Sequence, residues 1–346
     1  MRLSVLDQSP IPEGLTGADA LRNTLDLARL TERLGYHRYW VAEHHGGPML
    51  AGAAPEVLIS AIAGATNSIR VGSGGVMLPH YSPFKVAEVF SVLSALYPGR
   101  IDLGLGRASG TDPLTTFALQ RDRRQASADD FPQQLAELLA YLDGTLPDDH
   151  PFARLTDVVS GYGAKPEPWL LGSSPQSAIW AAQLDLPYAF ADFINPGGAE
   201  IAALYRQRLT TEHPGRPHRT AVAAWALCAE TDEEAEHLAS SSRMTLRLLR
   251  EGMLISVPTP EKATQWLEEH RRPTAGSLPG RRAIIGSPAK IREGLEKVAE
   301  EYLADEIIVV TITYDHEARR RSYELIGEAM GLEARENLTP AAAMPL

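Results

Sequence analysis

The sequence contains one cysteine, Cys228, in a chain of 346 residues. A single thiol cannot form a disulfide within the chain, and the apolar stretch around it favours packing over catalysis. Basic residues are also few, because 33 Lys and Arg face 44 Asp and Glu and leave a formal net charge of -11. Nucleic-acid sites need a basic stripe that displaces counterions, and the sequence has none. We therefore expect no nucleic-acid partner.

Long apolar runs are absent as well. No stretch reaches the ~18 consecutive apolar residues that suggest a membrane span, and residues 3–6 form an apolar segment without a preceding basic signal region. These features predict a soluble, cytoplasmic protein that has no membrane partner.

What the sequence does contain is an alternation of strand and helix signals over most of its length. With 44% hydrophobic residues, a chain of this size buries roughly three quarters of its unfolded surface. Eight strand segments, separated by segments of helical character, predict an α/β fold of the TIM (β/α)8 barrel type, in a single domain over residues 1–338. The predicted strands lie at 3–6, 39–43, 70–73, 101–104, 169–171, 188–191, 221–229 and 307–310.

Residues 229–283 interrupt this alternation. A helical stretch is followed by several prolines and glycines, a composition that favours a long mobile loop over a packed element. Since the region follows the seventh strand, it belongs to the active-site face of a barrel, where it is either a lid or a disordered insertion. Residues 339–346, rich in Ala and Pro, are expected to be a flexible tail.

The second predicted strand ends in three ionisable residues, Glu43, His44 and His45. Burying them unpaired would cost several kcal/mol, so we expect them at the strand's carboxyl end, where barrels build active sites. A histidine with a pKa near ~6.5 suits proton transfer. Adjacent residues of a strand point to opposite faces, so the two histidines argue against a metal site, and one of them is expected to be structural.

Glycine recurs at the carboxyl ends of the next predicted strands, where a flat ligand would need close approach to the backbone. This pattern predicts a planar cofactor lying across one rim. The segments concerned are 72–75, 104–107 and 172–174, and the sixth strand adds Asp192 and Asn195 at the same rim.

An anion site is predicted where Ser174 and Pro175 open a helix, because free backbone N–H groups and the helix dipole favour a phosphate there. Arg107, at the end of a neighbouring strand, supplies a guanidinium that matches phosphate geometry. The turn 286–288 (Gly-Ser-Pro) is an alternative, since barrel phosphates often bind after the seventh and eighth strands.

Taken together, these segments resemble the bacterial luciferase-like flavin monooxygenases. The resemblance covers most of the chain in the right order, and it implies an eight-stranded barrel, a bound FMN, activation of dioxygen at the flavin and a dimer. The matching segments are 42–45 (Ala-Glu-His-His), 69–79, 99–107, 172–174 with 180–183, and 285–288.

The resemblance also assigns roles to residues. It makes His44 the catalytic histidine, with Glu43 and His45 as positioning groups. The Gly74–Gly75 pair matches the place where the family often has a non-proline cis peptide beneath the flavin ring. The residues that match phosphate contacts are Arg107, Ser173, Ser174 and Ser177.

The sequence departs from the light-emitting luciferase subunit at several positions. Gly106 replaces a reactive cysteine, Asp192 replaces an aromatic residue near the flavin, and a second phosphate-binding arginine has no clear counterpart. The candidates for that arginine are Arg121, Arg123 and Arg124. These departures argue against aldehyde oxidation and light emission. The sequence is most similar to luciferase-like oxidases of actinomycetes, some of which modify aromatic polyketides.

The resulting hypothesis is an FMNH2-dependent two-component monooxygenase. It would receive reduced flavin from a separate NAD(P)H:flavin reductase, form a flavin hydroperoxide with O2, and insert one oxygen atom into an organic substrate, with an aromatic polyketide as a candidate. The segment 57–65, apolar nearly all round, predicts a homodimer. Two alternatives remain open, a deazaflavin-dependent hydride-transfer enzyme and a non-catalytic flavin-binding protein.

Overall fold

Eight parallel strands form a closed ring at the centre of the computed structural model, which describes residues 1–107, 112–120, 130–195, 197–270 and 282–335. The ring runs from β1 through β7, continues through β9, and closes where β9 pairs with β1. The predicted TIM barrel is therefore confirmed. The strands are β1 (Arg2–Asp7), β2 (Arg38–Val41), β3 (Arg70–Met77), β4 (Ile101–Gly106), β5 (Glu167–Gly172), β6 (Tyr188–Ala191), β7 (Thr220–Cys228), β8 (Ala283–Gly286) and β9 (Glu306–Val310).

Helices follow the strands and cover the outside of the ring. Many of them begin at a proline, whose missing N–H costs nothing in the first turn, and Thr16 and Asp19 form a capping box at the start of α1. The helices are α1 (Gly17–Arg33), α2 (Pro55–Ala65), α3 (Pro83–Leu96), α4 (Pro113–Leu119), α5 (Phe131–Asp143), α6 (Thr156–Ser160), α7 (Pro175–Gln183), α8 (Ala199–Glu212), α9 (Asp232–Arg250), α10 (Pro260–Glu269), α11 (Pro288–Tyr302) and α12 (His316–Ala329), with short 3-10 turns at Leu78–His80 and Ala153–Leu155.

A ninth strand, β8, was not predicted, and it lies outside the ring. The amino-terminal half of β7 pairs with β9, in the register Ala221↔Glu306 to Trp225↔Val310. The carboxyl-terminal half of β7 extends beyond this pairing and takes β8 as its neighbour, in the register Trp225↔Ala283 to Cys228↔Gly286. β8 thus finds a partner because β7 extends beyond its pairing with β9.

The described part of 229–283 contains the predicted helical stretch as α9, but the expectation of a long mobile loop after it is wrong, because α10 and β8 follow. The prolines taken as loop signals open helices instead: Pro260 is the first residue of α10, and the hydroxyl of Thr259 accepts a hydrogen bond from the Lys262 N–H. Residues 271–281 and the predicted tail 339–346 lie outside the described residues.

Two clusters make up most of the apolar core. The larger one fills the space between the helices and the outer face of the ring. A second cluster lies inside the barrel, where the rings of Trp40 and Trp169 meet edge to face with 5.4 Å between centroids. No helix among the described residues is long and apolar enough to cross a membrane.

Candidate active site

Two adjoining cavities open at the carboxyl ends of the strands, the face on which barrels carry active sites. The first, of about 280 Å³, is lined by Gly74, Gly75 and Gly106 and is called here the glycine-lined cavity. The second, of about 490 Å³, is lined by His44 and His45 and is called the histidine-lined cavity. Phe193 and Ile194 line both, so the two spaces are neighbours separated by these side chains.

The close packing around Gly74 and Gly75 leaves no room for a side chain at either position. A Cβ on Gly74 would approach a Leu6 methyl to 2.5 Å, and a Cβ on Gly75 would approach the Gly104 carbonyl oxygen to 2.7 Å. The peptide between Gly74 and Gly75 is cis, as the resemblance implied. Backbone with no side chains in the way is what a flat aromatic ring system requires of a binding wall, so the cavity fits a flavin.

The predicted phosphate end lies in this same cavity. Arg107, Ser173, Ser174 and Ser177 all line it, and the Arg107 guanidinium lies 5.8 Å from the ring centroid of Trp180. The Ser174 hydroxyl caps α7 by accepting a 3.4 Å hydrogen bond from the Ser177 N–H. Arg107 and the serines at the start of α7 therefore line one cavity.

Ser177 differs from the other members of this set. It is buried, and its hydroxyl donates a 2.7 Å hydrogen bond to the Ser174 carbonyl and lies 3.0 Å from the Tyr188 hydroxyl. These bonds fix the first turn of α7, so its main contribution is to hold the helix start in place. Arg121, Arg123 and Arg124 lie outside the described residues.

The alternative anion site, the turn at Gly286, already holds a carboxylate. The Ser287 N–H donates a 2.6 Å hydrogen bond to Asp232 Oδ1, and a Cβ on Gly286 would approach that same oxygen to 2.6 Å. Because Asp232 satisfies the start of α11 from within the protein, this turn is a helix cap. Gly286 also takes no part in lining the glycine-lined cavity.

Glu43 acts as a buried anchor between the ends of β2 and β3. Its carboxylate accepts hydrogen bonds from the Met77 N–H and the Tyr81 hydroxyl, both at 2.9 Å, and lies 2.8 Å from His45 Nε2. The side chain is 1% exposed and lines neither cavity. Glu43 is therefore placed to orient His45 and the strand ends.

His44 is placed differently from His45. Its backbone N–H donates a 2.9 Å hydrogen bond to the Gly52 carbonyl, but its buried Nδ1 atom has no hydrogen-bond partner among the described residues. Burial, with a smaller effect of His45, lowers the pKa of His44 to about 4. The imidazole is thus neutral at pH 7 and offers one nitrogen that the fold does not use.

Asp192 and Asn195 follow the end of β6, at the predicted rim, but neither lines the glycine-lined cavity. The buried Asp192 carboxylate accepts hydrogen bonds from Arg282 at 2.5 and 3.1 Å and from the Tyr302 hydroxyl at 2.8 Å, and it does not line the glycine-lined cavity. Asn195 donates through Nδ2 to the Ser173 carbonyl at 3.1 Å and so supports the phosphate end. The aromatic ring at this place is Phe193, the next residue along the chain.

Several lining residues were not predicted from the sequence. Trp180 beside Arg107 and Trp225 in the histidine-lined cavity come from a helix and a strand whose sequences indicate only packing. Phe193 and Ile194, by contrast, follow the end of β6, and the rim position of Asp192 was the signal that pointed to them. No group of three or more His, Cys, Asp or Glu that would hold a metal occurs within the described ranges.

Comparison with known proteins identifies the family. A sequence profile of the luciferase-like monooxygenase family matches residues 1–306. The chain belongs to this family. It is 46% identical to the uncharacterized protein YwcH of Bacillus subtilis, over 94% of this chain and 98% of that protein. It is 39% identical to the N-acetyl-S-alkylcysteine monooxygenase of the same organism, over 95% of this chain and 98% of that protein.

A solved structure agrees with these relatives. The crystal structure of apo-MsnO8 superposes with a TM-score of 0.86 at 42% identity, covering 96% of this chain and 99% of that one. Family and relatives together make this protein a flavin-dependent monooxygenase of the luciferase-like type.

Proposed function

We propose that this protein is an FMNH2-dependent two-component monooxygenase. It takes reduced FMN from a separate NAD(P)H:flavin reductase in the cytoplasm and inserts one atom of O2 into an organic substrate. The observation that carries the proposal is the pairing of two neighbouring cavities, one with backbone walls and a cationic end, the other with an unpartnered buried nitrogen on His44.

The glycine-lined cavity is the proposed flavin site. Gly74, Gly75 and Gly106 would lie against the ring system, and Arg107, with Ser173 and Ser174 at the start of α7, would hold the phosphate. Bound reduced flavin supplies two electrons, so that one oxygen atom of O2 enters the substrate and the other leaves as water. The protein's own part is to bind, to orient and to move protons.

His44 is the proposed proton-transfer residue. Because His44 lines the histidine-lined cavity and its imidazole is neutral at pH 7, this side chain is able to accept a proton from a group bound there. Glu43 holds His45 and the ends of β2 and β3 in place through its hydrogen bonds. Glu43 and His45 are therefore proposed as positioning residues. This division follows from their contacts, since Glu43 touches neither cavity.

The histidine-lined cavity is the proposed substrate site. Its walls are mainly apolar, with Phe193, Trp225, Leu246 and Leu249 among them, and such walls keep water away from the reacting groups. Two substrate classes are candidates, an aromatic polyketide and an S-alkylcysteine of the kind named for the Bacillus subtilis relative. Both combine an apolar body with polar groups.

We propose that two copies associate through α2 and α3. The outer face of these helices exposes apolar side chains, with Val57 64%, Val92 38% and Leu96 45% exposed. A helix that only covers a barrel needs one apolar stripe, and α2 carries a second one facing outward. Light scattering of the wild type at micromolar concentration is expected to show a dimer, and Val57→Asp a monomer. A monomeric wild type would overturn the proposal.

Anaerobic titration with FMNH2 and, separately, with a reduced 8-hydroxy-5-deazaflavin tests the choice of cofactor. We expect FMNH2 to bind and to support oxygen consumption when air is admitted, and the deazaflavin to do neither. Binding of the deazaflavin alone would instead establish a hydride-transfer enzyme. Binding of FMNH2 with reoxidation no different from that of free flavin would indicate a non-catalytic flavin-binding protein.

A further inference from the structure

A third cavity, of about 420 Å³, adjoins the histidine-lined cavity, and Trp225 and Leu246 line both. No acidic side chain of the described residues lines it. This concentration of positive charge stands out in a chain whose formal net charge is -11. The space is called here the arginine-lined cavity, after the four side chains Arg243, Arg247, Arg250 and Arg282.

Helix α9 contributes apolar side chains to the histidine-lined cavity and arginine side chains to the arginine-lined cavity. Arg243, Arg247 and Arg250 are spaced four and three residues apart, so they share one face of the helix. Leu246 and Leu249, on the adjacent face, line the histidine-lined cavity. One helix therefore presents an apolar wall to one space and a row of guanidinium groups to the next.

Arg282 is held in position by carboxylates that lie outside the cavity walls. Asp192, which is fully buried, accepts from Arg282 Nε and Nη2, and Glu301 accepts from Nη1. These bonds use three of the five N–H donors of the guanidinium, so donors remain for a ligand. This also explains why Asp192 points away from the flavin site.

The other three arginines also retain N–H donors for a ligand. Arg243 pairs with Glu236, and Arg247 donates to the His270 carbonyl at 2.6 Å and lies 3.8 Å from Glu251. Arg250 is exposed and forms no ion pair within the described part of the chain. Among the four arginines, Arg250 is thus the one whose charge the described residues leave unpaired.

We infer that the arginine-lined cavity binds the anionic end of the substrate, and that the substrate is an organic molecule with an apolar body and a carboxylate or sulfonate group. The apolar body would lie in the histidine-lined cavity near His44, and the chain would pass Trp225 and Leu246 to reach the arginines. Charge-assisted bonds to guanidinium groups favour such an anion and fix its orientation. The inference rests on the proposed function, because it assigns the histidine-lined cavity to the substrate.

Binding of a fluorescent anion to the flavin-free protein tests this inference. The probe is 8-anilinonaphthalene-1-sulfonate, and its matched control is N-phenyl-1-naphthylamine, which has the same apolar body without the sulfonate. We expect the sulfonate to bind the wild type at least tenfold more tightly than the neutral probe. The triple variant Arg243→Gln/Arg247→Gln/Arg250→Gln should lose at least tenfold of the sulfonate affinity and keep the affinity for the neutral probe.

Two further variants make the result specific. Arg250→Gln alone, at an exposed position, should weaken sulfonate binding about threefold even if the triple variant fails to fold. Arg292→Gln, on the exposed face of α11, should change nothing. Equal sulfonate affinity in wild type and both cavity variants, or no measurable sulfonate binding by the wild type, overturns the inference. A protein that shows the arginine-dependent binding but no FMNH2-dependent oxygen consumption would refute the proposed function separately.

Discussion

Arg38 begins β2 at the amino end of the barrel and His44 lies just beyond the other end of that strand, yet their polar atoms are satisfied to opposite degrees. Arg38 donates to Asp102 at 2.9 Å and to Glu306 at 2.8 Å. The Nδ1 atom of His44 is buried and has no partner among the described residues. Leaving such an atom unpaired costs about 1–3 kcal/mol, so one end of the barrel is arranged for stability and the other tolerates a cost.

The amino end is closed by a network of alternating charges. Arg70 contacts Asp102 and lies 3.0 Å from Glu167, which also pairs with Arg219, while Ser4 donates to Glu306. Burial lowers the pKa of Arg38, but Asp102 and Glu306 together raise it above its ordinary value, so it stays charged. The network joins residues of several strands and closes the amino end of the barrel.

The carboxyl end carries the three cavities instead. Their walls are built from strand ends and from the segments that follow, and Phe193, Trp225 and Leu246 separate one cavity from the next. The comparison shows that one set of strands serves two tasks, with the paired charges at one end and the vacant hydrogen-bonding capacity at the other. This is the division expected of a barrel enzyme.

The largest effect is predicted at the amino end. Arg38→Met should lower the free energy of unfolding by about 3–5 kcal/mol, because it removes the arginine partner of the buried Glu306 and one of the two arginine partners of the buried Asp102. Urea denaturation measures the change, and Arg292→Gln, an exposed pair with Glu296, serves as a control expected to lie within about 1 kcal/mol of the wild type. A loss equal to that of the control would show that the network contributes nothing.

The next effect is predicted at the phosphate end of the glycine-lined cavity. Arg107→Gln should weaken FMN binding by roughly 10- to 100-fold, the equivalent of a charge-assisted hydrogen bond of about 1.5–3 kcal/mol. Riboflavin, which lacks the phosphate, should bind wild type and variant equally well. Fluorescence titration with both ligands measures this, and an equal loss for both would place Arg107 away from the phosphate.

The smallest effect concerns pH and compares a histidine at each end. The pKa of His37 and that of His44 are both lowered to about 4, His37 by burial and then by nearby arginines, His44 by burial and then by His45. Between pH 6.5 and 4 the unfolded chain binds protons that the folded protein does not, so stability falls as the pH falls.

Replacing either histidine by Gln should therefore remove about 1–2 kcal/mol of the stability loss over this interval, less than the full linkage value because both side chains are partly exposed. Urea denaturation at pH 6.5 and pH 4.5 measures it. An unchanged pH dependence in His44→Gln would mean that this imidazole is protonated in the folded state.

The barrel was predictable from the sequence because its strands are apolar runs separated by helical segments, and each of the eight predicted strands is present. β8 (Ala283–Gly286) was missed because it follows the proline- and glycine-rich stretch that favoured a loop. Pro260 was misread, since a proline that opens a helix and one that breaks it look alike until the preceding cap is recognised.

The candidate site was predictable only in part. Three ionisable residues at the end of β2 pointed to the active-site rim. The sequence does not show, however, that the Glu43 carboxylate accepts hydrogen bonds from Met77 and Tyr81. Asp192 lies at the predicted rim, but its side chain turns away from the cavity to accept a hydrogen bond from Arg282. A residue that follows a strand is able to turn to either side, so the sequence does not show this direction. Such partners lie far apart in sequence, and local patterns carry no information about them.

His44 is the proposed proton-transfer residue, whereas the charge network at the amino end of the barrel only stabilises the fold. One measurement tests this claim most directly. Protein loaded with FMNH2 is mixed with oxygenated buffer by stopped flow, and reoxidation of the bound flavin is followed per folded molecule. His44→Ala should bind flavin normally and reoxidise it roughly 10²- to 10⁴-fold more slowly, with a smaller loss in His45→Ala, whereas Arg38→Met should match the wild-type rate. A wild-type rate in His44→Ala together with a lowered melting temperature would contradict the claim.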